Sequence, residues 1–170
     1  MLSQSTILSK VSISGVGVHT GKKVNINILP SSPNSGIIFK RIDLNQNNIV
    51  IPNFENVSDA TLCTTISNQY GVKVSTIEHL MAAFLGLGID NAIVEVDSQE
   101  IPILDGSAKD YVKILREKGK KYSDIPIKII RINNYIELKD GNKFISINKS
   151  NTTLDIDFEI KYPDCLIGTQ

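Results

Sequence analysis

Cysteine is scarce in this chain: only Cys63 and Cys165 occur, with no CxxC pair. That excludes a zinc ribbon and a disulfide framework and fits a reducing compartment. Net charge is missing too, because eighteen basic residues balance eighteen acidic ones over 170 positions. Neither nucleic acid nor an anionic membrane surface is therefore an expected partner. The amino terminus, MLSQSTILSKVSIS, lacks the apolar run of a signal peptide, and no later segment reaches transmembrane length. The expectation is a cytoplasmic protein with no transmembrane segment, whose Asn-x-Ser/Thr triplets are irrelevant. Histidine is nearly absent, with His19 and His79 the only imidazoles.

Apolar residues, by contrast, make up 41% of the chain, enough for one good core or two small ones. Isoleucine outnumbers leucine by 27 to 13. β-Branched side chains suit pleated, half-buried surfaces, so a sheet-rich α+β protein is expected. Residues 6–13 and 23–29 read as strands, the second alternating Val24, Ile26 and Ile28 against Asn25 and Asn27. Gly15, Gly17 and Gly21 make their connection a tight turn. SSPNSG (31–36) reads as a loop before a strand at 37–41, which suggests a meander, and ATLCTTI (60–66) reads as a further strand.

From Ile77, apolar residues recur at Leu80, Met81, Phe84 and Leu85, the stripe of an amphipathic helix ending at Gly86 or Gly88. DNAIVEV (90–96) follows as a strand, and EIPILDGSA (100–108) turns the chain into a second helix. There Ser107 and Asp110 have capping-box spacing, and Ala108, Tyr111, Val112 and Leu115 make the buried stripe. After the polar stretch 116–126 only strands are expected, at 127–132, 135–139, 143–149 and 153–160, the middle two joined by the hairpin signal Asp140-Gly141. The expected organisation is a first α+β domain over 1–126, a sheet layered against helices, and a partial second domain over 127–170 made of strands only.

STIEHLMAA (75–83) puts Glu78 and His79 side by side at the start of the first helix. Ser75-Thr76-Ile77-Glu78 is itself a capping box, in which Ser75 caps and Glu78 reaches back to the cap amide. At about 100° per residue, His79 falls opposite the apolar stripe, amid Ala82, Ala83 and Gly86. A solvated helix face normally carries Lys, Glu or Gln, so small residues point to close approach by another element, a ligand or a metal. A hydrogen-bonded core histidine is the alternative. A catalytic zinc would need three protein ligands and an open position. No HExxH-type second ligand follows, which leaves His19, Cys63 or an aspartate as options. GVGVHTGKK (15–23) is not a phosphate loop, because Val16 and Lys23 stand where that loop needs Gly and Ser or Thr. It reads as a glycine-rich hairpin displaying His19. Asp105 reads locally as a turn or capping aspartate.

Taken together and in register, GVGVHTGKK (15–23), ATLCTTI (60–66), STIEHLMAAFLGLGIDNAIVEV (75–96) and EIPILDGSA (100–108) closely resemble the UDP-3-O-acyl-N-acetylglucosamine deacetylase family, the zinc amidase of lipid A biosynthesis in Gram-negative bacteria. The resemblance implies two similar domains, each a sheet layered against helices, with the active site in the cleft between them. It implies that His79 is a zinc ligand and that Glu78 is the general base for attack of water on the acetamide carbonyl of a UDP-linked, 3-O-acylated N-acetylglucosamine. His19 would lie in a glycine turn approaching the site, Leu62 and Cys63 on a strand lining it, and Asp105 in a supporting position.

Members of that family continue well past Gln170. By the same resemblance, the remaining zinc ligands, a histidine that protonates the leaving amine and the acyl-chain passage lie in that later part. YPDCLIGTQ (162–170) resembles the family's HPxIGxQ segment with Tyr162 in place of the histidine. The expectation is an amino-terminal half: a complete first domain, a second cut off after its early strands, and no activity alone. A non-catalytic interaction module, self-associating through unpaired strands of the second domain, is the competing expectation. In a third, metal-free reading, Glu78 merely caps and His79 merely packs.

Overall fold

The computed structural model describes residues 2–151 and 154–170, and the chain divides into two units, Met1–Ile127 and Lys128–Gln170. In the first, β1 (Ser3–Ile7), β2 (Val11–Val16), β3 (Lys23–Pro30), β4 (Ile37–Arg41) and β5 (Ile49–Val50) lead through a 3-10 turn (Phe54–Asn56) to β6 (Val57–Asp59), β7 (Thr65–Ser67) and β8 (Lys73–Ser75). Then come α1 (Glu78–Leu87), β9 (Ala92–Val96), α2 (Lys109–Lys118) and β10 (Lys120–Pro126). The class is α+β, as the sequence implies.

The main sheet has the order β2-β3-β9-β4-β5. Register places Val11, Ile28 and Val94 in line across β2, β3 and β9, with Ile13, Ile26 and Val96 in the next row. All are buried in one core with Leu80, Ala83 and Phe84 of α1 and Tyr111 and Leu115 of α2. Each such burial contributes about 1.5–3 kcal/mol, which is why the period-two pattern decides which face meets the helices. The other face of β2 and β3 is polar, with Ser12 Oγ on Asn27 at 2.8 Å and Ser14 Oγ on Asn25 at 2.7 Å.

Several expectations are corrected. The single strand expected over 6–13 is two strands in different sheets: β1 pairs with β10 and β2 with β3. The chain turns between them where the Leu8 N–H bonds Gly119 O at 3.0 Å. The meander expected through β2, β3 and β4 does not form, since β9 inserts between β3 and β4 and runs parallel to β4; consecutive antiparallel pairing occurs instead in the small sheet β6-β7-β8. The insertion of β9 lets Ala92, Val94 and Val96 sit at the sheet centre, where both neighbours bury them. Residues 120–126, read as part of a polar stretch, are β10, because the exposed β1 edge offers a ladder that polar side chains do not prevent from forming.

The second unit holds the hairpin β11 (Ile136–Asp140) and β12 (Lys143–Ile147), turning at Gly141 with φ +58°. The strands expected at 127–132 and 153–160 are not formed among the described residues; Thr153 itself lies outside them. Ile129 and Ile130 are 76% and 89% exposed, and a strand without a neighbouring ladder gains nothing from extending.

Candidate functional site

The helix carrying Glu78 and His79 does not start with a capping box. Its N-cap is Ile77, with no side-chain cap bond. Ser75 is committed elsewhere, its N–H and Oγ both donating to Gln99 O at 2.9 and 3.1 Å. Glu78 does not reach back to the cap amide. Instead its Oε2 accepts the Thr64 N–H at 3.0 Å. The residue that sets the entry angle is Thr76, at φ +60°, a conformation that is costly for a β-branched side chain and persists only where its surroundings over-determine it.

On α1 the buried side chains are Leu80, Ala83 and Phe84. Leu85, expected in that stripe, is 73% exposed, and Ala83, expected beside His79 on the small face, takes its place in the core. The small face therefore narrows to His79, Ala82 and Gly86, with Ala82 and Gly86 exposed and open space where a Gly86 side chain would point. His79 is half-buried, and its Nδ1 is buried without a hydrogen-bond partner in the structure.

Residues 60–64 are a loop rather than the expected strand, which begins only at Thr65. Leu62 is the reason: at φ +61° it cannot extend a ladder, and it stands 88% exposed. Cys63 beside it is half-buried, with Sγ 3.7 Å from Thr65 Oγ1. The Glu78–Thr64 bond thus ties the Leu62–Cys63 loop to the first turn of α1.

His19 is exposed at the tip of the turn after β2, and what holds that turn was not singled out from the sequence. Glu100 is fully buried and its carboxylate accepts four hydrogen bonds: His19 N–H (3.0 Å) and Thr76 Oγ1 (3.1 Å) on Oε1, Thr20 N–H (2.9 Å) and Thr20 Oγ1 (2.7 Å) on Oε2. Burial pushes this carboxyl up, but the bonds from His19, Thr20 and Thr76 outweigh it and hold it below its ordinary range. Gly17 makes the approach feasible, because a Cβ there would lie 2.3 Å from Glu100 Oε2. An acidic residue opening the apolar run IPIL was the available signal.

Asp105 is exposed and accepts bonds from Ser107 N–H and Oγ at 3.0 Å, a local Asx turn around Gly106. The expected Ser107–Asp110 box is absent: α2 is capped at Ala108 without a side-chain bond, and Ser107 Oγ accepts from the Lys109 N–H instead. The structure therefore joins Glu78 to the Leu62–Cys63 loop and the His19 turn to Thr76. Among the described residues no hydrogen bond links Asp105 to either. Two surface hollows, of about 400 and 450 Å³, are lined by other residues, Asn47 and Tyr70 among the first and Ser12 and Lys113 among the second.

As for a metal, the buried unpartnered nitrogen of His79 fits one ligand position. Among the described residues no group of three or more His, Cys, Asp or Glu side chains is placed to hold an ion.

The family model for LpxC, UDP-3-O-acyl N-acetylglycosamine deacetylase, matches residues 4–170. Similar curated proteins, each named UDP-3-O-acyl-N-acetylglucosamine deacetylase, include one from Haemophilus influenzae, 40% identical over 99% of this chain and 55% of its own length. Another, from Sodalis glossinidius, is 42% identical over 96% of the chain and 54% of its own length. A third, from Actinobacillus succinogenes, is 43% identical over 86% and 48% respectively. The chain thus spans about half the length of the curated relatives it matches.

Proposed function

The chain belongs to the UDP-3-O-acyl N-acetylglycosamine deacetylase family, and from that premise we propose that it forms the amino-terminal part of a zinc-dependent hydrolase. Its reaction is removal of the N-acetyl group from UDP-3-O-acyl-N-acetylglucosamine, with release of acetate, in lipid A biosynthesis in the cytoplasm. No described helix is long and apolar enough to cross a membrane.

The observation that carries this reading is the Glu78–His79 pair: a carboxylate oriented by one backbone amide next to an imidazole with a buried, unpartnered nitrogen. His79 would supply one of the metal's ligands. Bound zinc would polarise the acetamide carbonyl and ease deprotonation of water at neutral pH. Glu78 accepts the proton from the attacking water: Oε2 is fixed by the Thr64 N–H, and Oε1 accepts no further bond among the described residues. Water oxygen bonds to the carbonyl carbon, the C–N bond breaks, and the amine leaves with a proton from an acid outside this chain. Leu62, exposed on its loop, and Cys63 would contact substrate, His19 would reach it from the glycine turn, and Asp105 would support that wall through its turn. With one imidazole in place and no completed ligand group, the 170-residue chain alone is expected to hold zinc weakly and to be inactive. Deacetylation by a form extended to the relatives' length, lost in Glu78→Gln, tests the assignment; undiminished turnover in that variant would overturn it.

A second reading has its own observation. On the hairpin β11–β12, Ile136 pairs with Ile147 and Leu138 with Ile145, and all four are exposed, at 47–71%. A two-stranded apolar hairpin whose edges pair with no other strand among the described residues invites strand addition, and so self-association of this chain. Light scattering across a concentration series decides it, and a clean monomer at high concentration would refute it.

A further inference from the structure

Glu100 has no part in the assignment above, yet among the described residues of the first unit no carboxylate accepts more hydrogen bonds. One oxygen serves two segments at once, accepting the His19 N–H and the Thr76 hydroxyl, while the other is taken up by Thr20. Its backbone neighbours are engaged with the same segment: Ser75 N–H bonds Gln99 O and Ile101 N–H bonds Ser75 O. The space is shaped for this carboxylate, since any side chain at Gly17 would collide with Oε2. A buried carboxylate costs desolvation and is weak support for stability in itself; what complete pairing adds is a fixed geometry. Here the geometry reaches Thr76, the left-handed residue two positions before Glu78. An extra bond from its hydroxyl is the kind of constraint that holds a strained backbone in place.

We propose that Glu100 is a positioning residue for the Glu78–His79 pair: its carboxylate clamps the His19 turn to Thr76 and so fixes where the first turn of α1 begins. The catalytic consequence rests on the deacetylase reading, whereas the clamp itself does not.

NMR on the 170-residue chain tests the clamp with Glu100→Gln, Thr76→Val and Thr76→Ser. Gln offers one acceptor oxygen and an NH₂ that faces donors. In Glu100→Gln the His19 and Thr20 amides should therefore exchange about tenfold to hundredfold faster, as expected for bonds to a charged group. The His79 imidazole and Thr64 amide signals should move with them. Thr76→Val should move the same His79 signals and Thr76→Ser should restore them, a pattern that a purely structural anchor would not give. Unchanged His19 and Thr20 amides in Glu100→Gln would overturn the proposal, as would opened amides with unmoved His79 signals. If Glu100→Gln fails to fold, Thr76→Val decides alone, and unmoved His79 signals there overturn it. In a form extended to the relatives' length, Glu100→Gln should lower kcat about tenfold with KM and bound zinc unchanged. The NMR readout needs no turnover, so its failure is distinct from that of the deacetylase reading, which would show as an inactive extended wild type.

Discussion

The Glu78 carboxylate accepts the backbone N–H of Thr64 at 3.0 Å, fourteen residues upstream, and not the amide of its own helix cap. In the role of general base proposed for Glu78, the carboxylate would be aimed by the loop that carries Leu62 and Cys63. Base and anchor can therefore be separated by substitution. Glu78→Gln keeps an oxygen for Thr64 and should change unfolding free energy by less than about 0.5 kcal/mol. In a form of the relatives' length it should slow deacetylation by about 10²–10⁴-fold. Glu78→Ala should add a stability loss of about 1–3 kcal/mol, because a partly buried amide loses its acceptor. Urea unfolding alongside initial rates checks both.

Two glycines should respond to alanine with opposite signs. At Gly17 the new Cβ would meet Glu100 Oε2 at 2.3 Å and Thr20 Oγ1 at 2.6 Å, so Gly17→Ala should destabilise by about 1–3 kcal/mol. Gly86 lies within α1 with open space around it, and Gly86→Ala should stabilise by about 0.5–1 kcal/mol. Denaturant midpoints of the two variants test the signs directly.

Acid should act through Glu100. Its carboxyl is held below the ordinary range in the folded chain, so the stability it supplies is present above the unfolded value, near about 4.3. That stability disappears as pH falls through the lower, folded value. Subtracting Glu100→Gln from wild type cancels the other carboxylates. The difference in unfolding free energy should be constant from pH 7 to about pH 5 and shrink on further acidification; a difference that grows as pH falls would contradict the assignment.

Tyr111 is fully buried at the base of α2, and its hydroxyl donates to the Pro102 carbonyl. Burial pushes its ionisation well above the ordinary tyrosine range. Tyr111→Phe should cost about 1–2 kcal/mol by stranding that carbonyl, and Tyr111→Ala about 3–5 kcal/mol by opening a cavity. Thermal unfolding of the pair separates the hydrogen bond from the packing.

What the sequence made legible was periodic. Val24, Ile26 and Ile28 announced the buried face of β3, Leu80 and Phe84 that of α1, and Asp140-Gly141 the hairpin of the second unit. What it hid was non-local. The break at Leu8, the insertion of β9 beside β4 and the recruitment of 120–126 as β10 depend on which ladder is free, which no local pattern encodes. Both capping boxes misled for one reason: Ser75 and Ser107 found other partners, Gln99 and Asp105, and spacing alone does not reveal competition. The left-handed Leu62 turned an apparent strand into a loop, and its residue type gave no warning. Glu78 and His79 stood out as unusual neighbours on a small-residue face, whereas Glu100 binds backbone amides of a turn about eighty residues earlier in the sequence.

The most direct test is zinc stoichiometry, measured on this chain and on a form extended to the length of its relatives, each with His79→Ala beside it. One tight zinc in the extended form, largely lost in His79→Ala, with no tight zinc in the 170-residue chain, is the predicted result. Undiminished binding in the extended variant would contradict His79 as a ligand. One tight, His79-dependent zinc in the short chain would contradict the claim that the remaining ligands lie outside it.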